Sequence, residues 1–85
     1  KELVQKSPQV LLNLSVTKSG VDLVEQASDL IEEMKQELGD NGRVVVSPSG
    51  TEPLVRIMVE ALDEFTAQEI ASSLEVSIRA LDNTP

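Results

Sequence analysis

The 85-residue chain carries seven basic and fifteen acidic side chains and no histidine, a net charge of −8. One small domain is the most this length allows, and a hydrophobic content of 40% supplies a packed core and argues against wholesale disorder. Few, scattered cations exclude a nucleic-acid partner, the lone aromatic Phe65 excludes a base-stacking platform, and the acidity excludes an anionic membrane surface.

Residues 1–8 are polar, end in Pro8, and read as a linker or lead-in. From 9 to 17 apolar and polar positions alternate. Val10, Leu12, Leu14 and Val16 share one face, and Leu11, Asn13, Ser15 and Thr17 share the other, which predicts a strand. Ser19-Gly20 breaks the alternation, and Ser19, with Asp22 three positions on, suits an N-cap. A helix is expected over 21–38, because Val24, Ala27, Ile31, Met34 and Leu38 form a stripe at spacings of three and four. Its other face holds Asp22, Glu25, Asp29, Glu32, Glu33 and Glu37. These read as a solvated surface rather than a calcium site, since no EF-hand spacing is present. Gly39 suits a C-terminal cap, and Asn41-Gly42 signals a turn. Residues 43–46 form a short β-branched strand, 47–53 are dense in turn formers, and 54–61 form another strand with Val55, Ile57, Val59 and Ala61 on one face. Asp63 or Thr66 caps a last helix whose stripe is Ala67, Ile70, Leu74, Ile78 and Leu81, and 83–85 form a tail.

The element order is β-α-β-β-α. The middle strands, joined by a short loop, pair antiparallel, and two helices with one apolar stripe each are buried together only against a shared sheet face. The fold class is α+β, a two-layer sandwich of a mainly antiparallel sheet with two helices on one face, in a single domain over 9–82. The absence of cysteine fits a cytoplasmic location. No apolar stretch approaches the ~20 residues that span a bilayer, and nothing resembles a signal peptide. A chain beginning at Lys1 rather than Met is expected to be a piece of a longer one. Without histidine or cysteine, zinc sites and Ser-His-Asp triads lack their residues.

Most of the chain reads as scaffold. The exception is Ser47-Pro48-Ser49-Gly50-Thr51-Glu52-Pro53, followed by Arg56. Gly50, lacking a Cβ, lets the backbone turn and present N–H groups to an anion. The Ser49 and Thr51 hydroxyls can donate to phosphate oxygens, and Arg56 can add a bidentate charge. The same residues also compose an ordinary turn, with Arg56 facing solvent or pairing with Glu60. Arg43 is the other cation nearby.

The stretch Gly42-Arg43-Val44-Val45-Val46-Ser47-Pro48-Ser49-Gly50-Thr51-Glu52-Pro53-Leu54-Val55-Arg56-Ile57-Met58-Val59-Glu60 closely resembles the C-terminal signature of the bacterial phosphoglucosamine mutase family, within the α-D-phosphohexomutase superfamily. The resemblance extends back through Pro8-Gln9-Val10-Leu11-Leu12-Asn13 and the helix end Glu37-Leu38-Gly39. It implies the fourth of four domains, with a fold of the TATA-box-binding-protein class, a label that carries no DNA binding with it. It further implies that Ser49, Gly50, Thr51 and Arg56 grip the non-reacting phosphate of a phosphosugar, while Glu52 and Pro53 shape the loop. The family usually carries arginine at the position of Ser47, so Ser47 departs from the pattern, and Arg43 or another domain is left to compensate. The implied reaction interconverts glucosamine 6-phosphate and glucosamine 1-phosphate through a phosphoserine of the first domain and a magnesium ion held by the second. No catalytic residue, metal ligand or cofactor is expected in this chain, which is expected to be inactive alone. Its partners would be the phosphosugar and the other three domains. The alternatives are the C-terminal domain of a phosphomannomutase or phosphoglucomutase, and a non-catalytic anion-binding or interaction module.

Overall fold

The computed structural model describes residues 8–83. The expected lead-in over 1–8 lies outside them save for Pro8, whose carbonyl accepts the Ala61 N–H at 3.2 Å, and so does the tail beyond Asn83. The elements in chain order are β1 (Gln9–Ser15), α1 (Gly20–Gln26), α2 (Ser28–Leu38), a 3₁₀ turn (Gly39–Asn41), β2 (Arg43–Pro48), β3 (Leu54–Glu60) and α3 (Glu64–Asp82). The strands form an antiparallel sheet in the order β1-β3-β2, with β3 in the centre. All helices cover one face, α3 against β1 and β3, and α1 with α2 against β2. The α+β two-layer architecture is the expected one.

Alternation places Val55, Ile57 and Val59 of the central strand fully inside, flanked by Leu14 and Val44, under Leu23, Ile31, Leu74 and Ile78 of the helices. This core is wholly aliphatic, and Phe65 stands 70% exposed on the first turn of α3. Among the described residues no polar or charged side chain is buried, so the sheet and helices leave no orphaned side-chain group to satisfy.

The expected helix over 21–38 is bent at Ala27, which departs from helical geometry at φ −90°, ψ 4°. Its hydrogen-bond ladder nevertheless runs through the bend, from Ala27 N–H to the Leu23 carbonyl and from Ile31 N–H to the Ala27 carbonyl. In α1 the buried side chain is Leu23, beside the buried Gly20, and Val24 is half-buried. Capping follows residue chemistry. Ser19 accepts the Asp22 N–H at 3.4 Å, and Gly39 ends α2 in the left-handed region at φ 56°. Asp63 accepts both the Thr66 N–H and the Thr66 hydroxyl, at 2.9 and 2.8 Å, so Asp63 rather than Thr66 is the cap of α3. Gly42 plays a different part from the turn signal read in the sequence. Its backbone is extended at φ −179°, and it is glycine for space, because a Cβ there would collide with the Glu60 carbonyl and crowd Ala61. Strand β2 runs two residues beyond the expected Val46. Pro48 fits because β2 is an edge strand and its missing N–H costs no ladder bond on the outer side.

Candidate anion-binding loop

The β2–β3 hairpin closes with Ser49 N–H donating to the Leu54 carbonyl at 2.8 Å. Leu54 N–H donates to the Glu52 carbonyl at 2.7 Å, a tight turn around Pro53. The Ser49 Oγ accepts the N–H groups of Thr51 and Glu52, each at 3.4 Å. Its lone pairs face into the loop, so its own proton is available to an outside acceptor. The Gly50 N–H and the Thr51 hydroxyl have no hydrogen-bond partner among the described residues, and both residues are exposed. Gly50 does not adopt a positive φ, and a Cβ there would meet open space. The loop's path therefore does not demand glycine at this position, and what the missing Cβ provides is room for close approach from solvent.

Arg56 lies two residues, about 7 Å, inside β3 from the end of the loop. It is exposed on the sheet face opposite the helices, and its side chain makes no ion pair or hydrogen bond among the described residues. The pairing with Glu60 weighed from the sequence is absent. Glu60 is four residues along the same strand, across from Arg43 and Gln9. The strand register instead sets Arg56 between Ser47 on β2 and Asn13 on β1. Ser47 is thus a direct neighbour of Arg56, whereas Arg43, four residues from Ser47, sits about 13 Å away at the other end of β2. The structure brings Ser47, Ser49, Gly50, Thr51 and Arg56 to one end of the sheet and leaves Arg43 outside. Asn13 joins them through long-range β1–β3 pairing. The sequence pattern put Asn13 on the outer face but carried no sign of its neighbour.

The charge distribution around this end is unlike that of the molecule as a whole. Residues 9–21, 41–51 and 53–59 contain no aspartate or glutamate. Glu52 is the one carboxylate of the loop, and its backbone rather than its charge shapes the turn. A groove of about 530 Å³ lies between α2 and α3 on the helical layer, and its walls include Glu37 and Glu69 beside Met34 and Phe65. Two carboxylates make it repellent to a phosphate.

Behind the loop is a firm support. The Pro53 carbonyl accepts the Val16 N–H at 2.9 Å, and Gly20 packs so closely on Pro48 and the Leu54 carbonyl that a Cβ would come within 3.1 Å of each. The connection between β1 and α1 is held in turn by Asp82 at the end of α3. Its carboxylate accepts the N–H groups of Thr17 and Lys18, at 3.0 and 2.8 Å, and the Thr17 hydroxyl at 3.0 Å. The Lys18 ammonium donates to the Leu81 carbonyl at 2.9 Å. The backbone donors of Lys18 and Thr17 hold the Asp82 carboxyl below its ordinary pKa of 3.8. Loop, strand end and helix end therefore form one connected frame.

Among the described residues no group of three or more carboxylate, histidine or cysteine side chains could hold a metal ion. No described helix is long and apolar enough to cross a membrane.

A family model described as phosphoglucomutase/phosphomannomutase, C-terminal domain, matches residues 11–75. The phosphoglucosamine mutase of Desulfotalea psychrophila is 40% identical over 84 residues, 98% of this chain and 19% of that enzyme. Those of Mycobacterium marinum and Mycolicibacterium vanbaalenii are 42% and 44% identical over 91% and 93% of this chain, each match covering 18% of the relative. The chain thus spans under a fifth of the length of the curated relatives it matches. Among solved structures, Aspergillus fumigatus N-acetylphosphoglucosamine mutase in complex with GlcNAc-6P and magnesium aligns with a TM-score of 0.68 at 20% identity, covering 91% of this chain and 16% of that one. A second structure of the same fungal enzyme aligns at a TM-score of 0.70, 21% identity and 89% coverage of this chain. At such identity the likeness concerns the fold. With a matching family model over most of its length, the chain belongs to the phosphoglucomutase/phosphomannomutase C-terminal domain family.

Proposed function

We propose that this chain is the phosphate-gripping closing domain of a cytoplasmic phosphoglucosamine mutase, an isomerase that interconverts glucosamine 6-phosphate and glucosamine 1-phosphate. The observation that carries the reading is the set of unspent donors at one end of the sheet. The Ser49 proton, the Gly50 N–H, the Thr51 hydroxyl and the unpaired Arg56 guanidinium all lie in a zone where Glu52 is the one carboxylate, in a chain charged −8. Such a set is suited to a phosphoryl group, with Arg56 supplying the charge and the loop the directional hydrogen bonds. The phosphate held here is the one not reacting at that moment. Gripping it orients the sugar and helps exclude water from chemistry carried out by the other three domains. The family resemblance assigns the phosphoserine and the magnesium site to those other domains. The choice of amino sugar over mannose or glucose rests on the names of the relatives at 40–44% identity.

The test is a titration of the isotopically labelled chain with inorganic phosphate and with glucosamine 6-phosphate, read by NMR. The amides of Ser49, Gly50 and Thr51 and the Arg56 Nε–H are expected to shift together. A chain that stays folded and shows no shift there at millimolar ligand would reduce the loop to an ordinary turn.

A further inference from the structure

The sheet face opposite the helices is organised in rows set by the strand register. Asn13, Arg56 and Ser47 stand abreast across β1, β3 and β2, and Leu11, Met58 and Val45 form the next row away from the loop. Adjacent strands lie ~4.8 Å apart, so the polar row spans about 10 Å from Asn13 to Ser47 with the guanidinium in the middle. Asparagine is a poor strand former. Asn13 is exposed, and its carboxamide has no hydrogen-bond partner among the described residues. The fold thus gains nothing visible from an amide at this position.

The chemistry of the two rows matches one kind of ligand. A guanidinium only donates, which suits a phosphate. A carboxamide both donates and accepts, as a ring hydroxyl does. The neighbouring row is apolar, with Leu11 67% and Val45 41% exposed, a surface on which the C–H face of a sugar ring can rest. A bare phosphate needs neither the amide nor the apolar row.

We propose that Asn13 is a further substrate-binding residue, its carboxamide hydrogen-bonding a ring hydroxyl of the phosphosugar whose phosphate is held by Arg56. The proposal rests on the phosphate-site reading above and adds to it a sugar-recognising side chain on β1.

The experiment compares inorganic phosphate with glucosamine 6-phosphate on the chain and its Asn13→Ala, Asn13→Thr and Gln9→Ala variants. Threonine keeps strand propensity, and Gln9 is on the same face of β1 but at its far end, beside Glu60. The Asn13 carboxamide signals are expected to shift with the sugar phosphate and not with phosphate. Both Asn13 variants are expected to weaken sugar-phosphate binding about 3- to 10-fold, the range for one neutral hydrogen bond. Their phosphate affinity and the affinities of Gln9→Ala should be unchanged. Equal weakening of both ligands, or no weakening of either, overturns the role of Asn13 while shifts at Ser49–Thr51 and Arg56 keep the phosphate site. Absence of shifts at the loop and Arg56 in the folded parent chain removes the phosphate site, and the Asn13 role with it.

Discussion

Two glycines show how differently the same residue type is used. At Gly42 a methyl group would run into the backbone of Glu60 and Ala61, which cannot move without disturbing the central strand. Gly42→Ala is therefore expected to destabilise the chain by about 1–3 kcal/mol, read from its urea midpoint. At Gly50 a methyl group meets only solvent space, so Gly50→Ala should stay within about 0.5 kcal/mol of the parent. If the loop holds phosphate, that same variant should bind it more weakly, which separates a folding glycine from a ligand glycine by two measurements. Ser47 offers the reverse experiment. It faces outward beside Arg56, so Ser47→Arg sets a second guanidinium next to the first. Phosphate affinity by titration is expected to rise about 10-fold or more, the worth of one charge-assisted contact. An unchanged affinity would mean that position 47 does not reach the ligand.

Local pattern carries the elements well and their joints poorly. Alternation at Val10, Leu12 and Leu14, the stripe through Ala67, Ile70, Leu74 and Ile78, and the caps Ser19 and Gly39 were legible, with Asp63 one of two candidates for the third cap, since each depends on neighbours within a turn or a strand pair. The bend at Ala27 and the extension of β2 through Pro48 were not, because tertiary packing decides them. The candidate site divides likewise. The loop and Arg56 stood out as residue types, but Asn13 acquires its neighbour only through pairing with β3, and Asp82 is 65 positions from Thr17. The two carboxylates that organise α3, Asp63 at its start and Asp82 at its end, are both held below 3.8 by the backbone and side-chain donors they accept. A carboxyl whose pKa is lower in the folded state stabilises the fold above its unfolded value and loses that contribution as pH falls through the folded value. Asp82→Asn should thus melt below the parent at pH 7, and the gap should narrow in melts taken progressively below pH 3.8. A gap constant with pH would mean that the ionised form is not what Thr17 and Lys18 hold.

At the scale of the molecule, the aliphatic core and the charge pattern divide the work between two sides of one sheet. The helical side holds the core, with Leu74 fully buried at its centre among β-strand and helix side chains. Leu74→Ala is expected to cost about 2–5 kcal/mol in a urea titration, a large share of what a domain this small has in reserve. A loss below about 1 kcal/mol would show a core able to collapse around the gap. Across the sheet, the row of Asn13, Arg56 and Ser47 carries no acid and lies outside the packed core, so its residues are open to selection by a ligand. The hold of Asp82 on Thr17 and Lys18 ties these sides together, and it has a consequence for the order of assembly. Contacts between residues 65 apart close a long loop and are expected to come late in folding. Strands β2 and β3 can zip as a local hairpin early, but the support behind Pro53 is complete only after the last turn of α3 has docked. If the loop holds phosphate as proposed, a nascent chain is expected to form its hairpin before it can do so, and to gain that ability once the last turn of α3 has docked.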